Sequence, residues 1–133
     1  MARILLYAFI TLLGFSCSAP EKLLTDERAE RIYFGKSGGF TNIPVRYVLI
    51  DRAYIFKIEQ DKFIAICKPS KNEITQFNLL LEQSNIHELN LNEPGNMTYY
   101  IRIVKNNNEK EIKWTDTSLN SGVKELYKAL VSM

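Results

Sequence analysis

Histidine occurs once in the 133 residues, tryptophan once, cysteine twice and proline four times. A single histidine excludes a Ser-His-Asp or Cys-His catalytic set unless His87 is itself the base, and with at most two thiols it cannot complete a four-ligand zinc site. Neither charge sign dominates. The 17 Lys+Arg stand against 15 Asp+Glu, and removing Arg3 with an export signal leaves 16 against 15, so electrostatics gives no reason to expect nucleic acid. No apolar run reaches membrane-spanning length: Ile4 to Phe15 has 12 residues, which as a helix cover about 18 Å of a roughly 30 Å bilayer core. What is present is an ordinary globular composition, 46% hydrophobic and 24% charged, which excludes collagen-like, low-complexity and wholly disordered classes.

The short basic start Met1-Ala2-Arg3 ahead of that apolar run reads as a signal peptide. The run ends in Leu13-Gly14-Phe15-Ser16-Cys17-Ser18, which resembles the lipobox of bacterial lipoproteins, and Phe-Ser-Cys endings are similar to those of Bacteroidota lipoproteins. The resemblance implies an exported chain, lipid-anchored through Cys17 to the cell envelope, with the outer membrane as the expected site. Cleavage near Ser18 by the ordinary signal peptidase is the alternative. The chain then divides into a signal peptide over 1–16, a lipidated tether over 17–28, polar or small and containing Pro20, and one domain over 29–133. With Cys17 acylated, Cys67 has no intramolecular partner. It lies in the apolar run Phe63-Ile64-Ala65-Ile66-Cys67, which reads as a buried strand with Cys67 as a small core side chain.

Period-two alternation dominates from Arg31 onward. Tyr99, Ile101 and Ile103 face one way and Thr98, Tyr100 and Arg102 the other, while Ile112 and Trp114 alternate with charged neighbours. The asparagines of Asn106-Asn107-Asn108-Glu109 tolerate left-handed backbone and mark a hairpin. Four earlier strands centre on Ile32 and Phe34, on Val45, Tyr47 and Leu49, on Tyr54, Phe56 and Ile58, and on Phe63 to Cys67. Turns are expected at Lys36 to Gly39, Asp51-Arg52 and Gln60-Asp61. Helical spacing of Ile74, Phe77, Leu80 and Leu81 predicts a helix between Asn72 and Leu89, capped by Ser70 or Asn72. A stripe of Val123, Leu126, Tyr127 and Leu130 predicts a last one, started by Ser118 or Asn120. The order ββββ-α-ββ-α is an α+β domain: an antiparallel sheet of about six strands with two helices on one face.

Constellations that carry chemistry fail one by one. Gly35-Lys36-Ser37 ends like a phosphate-binding loop, but Glu30 stands where that motif needs its first glycine, and Pro44 rather than a helix follows. Asp51, Glu59 and Asp61 lack the alternating pattern of a calcium loop and read as solvated turn residues. His87 reads as a capping or surface residue at the end of the first predicted helix. The expectation is therefore a non-enzyme with no catalytic residue, no metal, no cofactor and no small-molecule substrate.

The segment least explained by packing is Ser37-Gly38-Gly39-Phe40-Thr41. Adjacent glycines permit backbone closed to other residues and let a second chain approach; the ordinary alternative is a turn with Phe40 folded into the core. With the neighbouring Phe34-Gly35-Lys36, the extended Tyr47-Val48-Leu49, the Leu79-Leu80-Leu81 helix, the strand Tyr99 to Ile103 and the closing Leu126-Tyr127-Lys128-Ala129-Leu130, it resembles the emfourin family of metalloprotease inhibitors. Asn42 stands where that pattern carries a second glycine. The resemblance implies that Ser37, Gly38, Gly39, Phe40 and Thr41 meet a protein partner, a metalloprotease. A structural or adaptor lipoprotein, docking on another envelope protein through a sheet edge or exposed tyrosines, is the alternative.

Overall fold

The computed structural model describes residues 20–133; the expected signal peptide and Cys17 lie outside the described residues. Six strands, β1 Arg31–Gly38, β2 Val45–Ile50, β3 Tyr54–Glu59, β4 Lys62–Cys67, β5 Met97–Lys105 and β6 Asn108–Trp114, form one antiparallel sheet, joined by helices α1 Pro20–Thr25, α2 Lys71–Ser84 and α3 Ser121–Ser132. The sheet order is β4-β3-β2-β1-β5-β6. A four-strand meander thus grows away from β1 on one side, α2 carries the chain back, and the β5-β6 hairpin adds on the other. This is the α+β architecture expected from the alternation.

Local chemistry sets the corners. Gln60 and Asp61 (φ 48° and 61°) and Asn106 and Asn107 (φ 50° and 63°) make two-residue turns with both central residues left-handed, the geometry that matches strand twist. Ser70 caps α2 in a reciprocal box: its Oγ accepts from the Glu73 N–H at 3.2 Å while the Ser70 N–H donates to the Glu73 carboxylate at 2.7 Å. Asn120 caps α3, accepting from the Val123 N–H at 3.0 Å.

The period-two sets fall on one face as read. Ile32, Phe34, Leu49, Ile55, Ile101, Ile103, Ile112 and Trp114 meet Phe77 of α2 and Val123, Leu126 and Leu130 of α3 in the main core. Burying each such side chain contributes about 1.5–3 kcal/mol. Arg52, at the β2-β3 turn, donates to the buried Glu30 carboxylate at 2.7 Å and to Asn78 of α2, and its guanidinium lies 5.8 Å from the Phe77 ring centroid, which ties that turn to the helix layer.

Four readings need correction. Residues 20–25, assigned from their polarity to the tether, form α1, whose Leu23 and Leu24 pack with Ala29, Val48, Ile50 and Phe56 on the sheet face opposite α2 and α3. The two expected helices, α2 and α3, share one face, and α1 adds a third helix on the other. β1 runs through Lys36 and Ser37 to Gly38, where a turn was expected, because Lys36, Ser37 and Gly38 pair with Tyr99, Thr98 and Met97. α2 stops at Ser84 rather than near Leu89, since Asn85 adopts left-handed backbone (φ 49°) and closes the helix, with its N–H donating to the Glu82 carbonyl. β4 is not a buried strand. Phe63, Ile64 and Ile66 are 39%, 47% and 50% exposed, because the meander leaves β4 at the sheet edge and no later strand covers it.

Candidate functional site

β1 delivers the Ser-Gly-Gly segment to the top of the sheet, taking the Gly38 end as top. Ser37 and Gly38 are its last residues, and Gly39 starts the excursion to β2. The glycines are dictated by the neighbouring backbone. Gly38 has φ +95°, and a Cβ there would sit 2.0 Å from the Asn96 carbonyl oxygen; Gly39 has φ +77°, and its N–H donates to that same carbonyl at 2.8 Å. One acceptor thus fixes the root of the loop. Gly35, the glycine of the Gly-Lys-Ser sequence, lies mid-strand, where a Cβ would meet the Val45 carbonyl oxygen at 2.0 Å, so it answers to strand packing and not to a phosphate.

Beyond that root the loop projects apolar side chains into water. Phe40 is fully exposed, Ile43 is 69% exposed, and Thr41, Asn42 and Pro44 are exposed as well. Phe40 is therefore outside the core. Asn42 has φ +48°, a conformation that glycine and asparagine tolerate best, so it meets the backbone demand at the position where the resembled pattern has glycine. Between the loop and the β3-β4 hairpin runs an open groove of about 530 Å³ lined by Ile43, Pro44, Arg46, Lys57, Glu59 and Ile64. Within it the Lys57 ammonium pairs with Glu59, whose hydrogen bond and charge hold the lysine above its ordinary range.

The chemistry-bearing residues are scattered. Glu59 and Asp61 stand at the top of the sheet and Asp51 at the bottom, between β2 and β3. His87 is exposed in the turn after α2 and does not cap it. Cys67 is half-buried, its Sγ 3.6 Å from the Met133 carbonyl oxygen, and burial raises its thiol pKa, the opposite of what a nucleophile needs. Among the described residues no group of three or more His, Cys, Asp or Glu is placed to hold a metal ion.

Of the expected contact residues, the fold presents Phe40 and Thr41 outward and uses Ser37, Gly38 and Gly39 as their support. Ile43, Pro44 and Ile64 of β4 line one groove, and Phe63 and Ile66 of β4 are exposed elsewhere along that strand; the sequence reading singled out none of them as contact residues. The position of β4 as the last strand of the meander was the one clue to its exposure. Set against known proteins, the chain matches no protein-family model, and no curated protein is significantly similar to it.

Proposed function

We propose that this protein is an exported lipoprotein, anchored through Cys17, that acts without catalysis as a protein-binding module and presents the loop from Gly39 to Pro44 to its partner. The observation that carries the reading is a fully exposed Phe40, with Ile43 three residues on, above a root fixed to Asn96. Exposed apolar anchors on a rooted loop lose little conformational entropy on binding, which is what an interaction site requires. The placement of α1 fits an anchor at Cys17. Arg31, at the opposite end of β1 from Gly38, donates to the Leu24 carbonyl at 2.8 Å, so the chain enters about 25 Å along the strands from the loop. An inhibitory role of the emfourin kind is the specific form that the resemblance suggests.

A photo-crosslinking residue at position 40 in the lipidated protein in cells tests this, with Leu119 as the control because it is equally exposed at 98% but lies before α3. The expected result is a discrete protein adduct from position 40 and none from position 119. Equal labelling at both, or none at position 40, overturns the loop reading. Full activity of a co-encoded metalloprotease at saturating lipoprotein removes only the inhibitory form.

A further inference from the structure

We infer that β4 is a self-association edge, on which a second copy of this chain adds its own β4 antiparallel to form a continuous sheet through the two molecules. The inference goes beyond the loop reading and does not depend on it, and only its third ground rests on the proposed anchor at Cys17. Its first ground is the unpaired backbone. The two-residue turn at Gln60-Asp61 makes Glu59 and Lys62 the closing hydrogen-bonded pair of the β3-β4 hairpin, and the register Ile58↔Phe63, Lys57↔Ile64, Phe56↔Ala65 follows. Alternation then turns the N–H and C=O groups of Phe63 and Ala65 away from β3, toward open solvent. No charged residue interrupts Phe63 to Ile66, where native edges ordinarily carry one.

The second ground is that the edge is complementary to itself in one register. A two-fold axis normal to the sheet keeps each face continuous, so opposed residues must share a face, and Ile64 opposite Ile64 of the second copy satisfies this. Phe63 then lies opposite Ala65 of the second copy, a large ring beside a methyl, and the two exchange main-chain hydrogen bonds. The next allowed register, centred on Ala65, would have to pair Ile64 with the bulged Ile66 of the second copy and is disfavoured by that break in the strand. The bulge at Ile66, opposite Ile55-Phe56, bends β4 there and confines the pairing to the stretch before Cys67.

The third ground is the position of α1. The same axis leaves both copies of α1 on one face of the joined sheet, so two chains anchored just ahead of Pro20 can share one membrane. Pairing over so short a strand is weak between free molecules, and co-anchoring supplies the effective concentration that sustains it.

Cysteine scanning of the full-length lipoprotein in membranes tests the pairing on a Cys67→Ser background, which also reports any thiol contribution from Cys17. Opposed Ile64 residues form a non-hydrogen-bonded pair with Cα atoms about 4.5 Å apart, within disulfide reach, whereas Phe63 or Ala65 lies about 8 Å from its own mate. Mild oxidation is expected to give roughly tenfold more disulfide dimer from Ile64→Cys than from Phe63→Cys or Ala65→Cys. Adding Ala65→Lys to Ile64→Cys is expected to abolish the dimer while the thermal melting point stays that of the parent, which separates lost pairing from lost folding. Equal yields at the three positions, no dimer from Ile64→Cys in a variant that melts like its parent, or a maximum at position 63 or 65 would overturn the proposal.

Discussion

The two edges of the sheet are built in opposite ways. On β6, Glu109, Lys110, Glu111 and Lys113 put charge along the strand, and the segment from Leu91 to Glu93 straps its upper part: the Lys113 N–H donates to the Leu91 carbonyl and the Glu93 N–H to the Lys113 carbonyl, both at 3.0 Å. Ser118 locks the strap, accepting from the Thr115 N–H and donating to the Glu93 carboxylate. On β4, Phe63 to Ile66 carry no charge, and no described segment covers them. Charge and cover are how sheets avoid unwanted strand addition. On the proposed reading, a chain that applies both at one edge and leaves Phe63 to Ile66 bare at the other meets other molecules on the side of that bare stretch and the apolar loop above it.

Stripping the guarded edge has the largest expected effect. Lys113→Pro removes the donor to Leu91 and is expected to cost about 3 kcal/mol, read as a lower denaturation midpoint. Ser118→Ala removes the hydroxyl that joins the Thr115 N–H to the Glu93 carboxylate and is expected to cost about 1 kcal/mol by the same measurement.

Alkali acts on the aromatic cluster behind β6. Tyr127 packs edge-on to Trp114 and Tyr99, and burial pushes its hydroxyl up to about 12, while a hydrogen bond to Asp116 raises Tyr99. Above pH 10 the unfolded chain releases the Tyr127 proton and the folded chain still holds it, so stability falls as pH climbs from about 10 to about 12. The loss is on the order of 1 kcal/mol because the ring is only half-buried and partly screened, and denaturant melts at about pH 9 and about pH 12 measure it. The substitution Tyr127→Phe is expected to remove that part of the pH dependence.

Charge on the bare edge has the smallest effect on folding. Ala65→Lys is expected to change stability by less than about 0.5 kcal/mol while raising the concentration at which the purified protein stays monomeric, read by sedimentation.

How much of this was legible in the sequence follows from what each pattern encodes. Alternation at Tyr99 to Ile103 and at Ile112 and Trp114 names the buried face, because period two is local geometry, and the fold class followed from element order. Phe63 to Cys67 misled because a short apolar run reports hydrophobicity and not position in a sheet. Only the pairing of β5 with β1, a long-range event, leaves β4 outermost. Phe40 was ambiguous for the same reason, since an aromatic after two glycines can fold inward or outward, and the choice depends on Asn96, immediately before the neighbouring strand β5, holding Gly39. Leu23 and Leu24 were hidden by polar neighbours, and a helix of this length is fixed by tertiary contact and not by propensity.

Amide hydrogen exchange on the wild-type lipoprotein in vesicles, at low and at high surface density, tests the asymmetry of the edges most directly. The account predicts that the Lys113 amide is protected at both densities, and that the Phe63 and Ala65 amides exchange freely when the protein is sparse and become protected when it is crowded. Protection of Phe63 and Ala65 that does not change with density, or a Lys113 amide as fast as theirs, would contradict it.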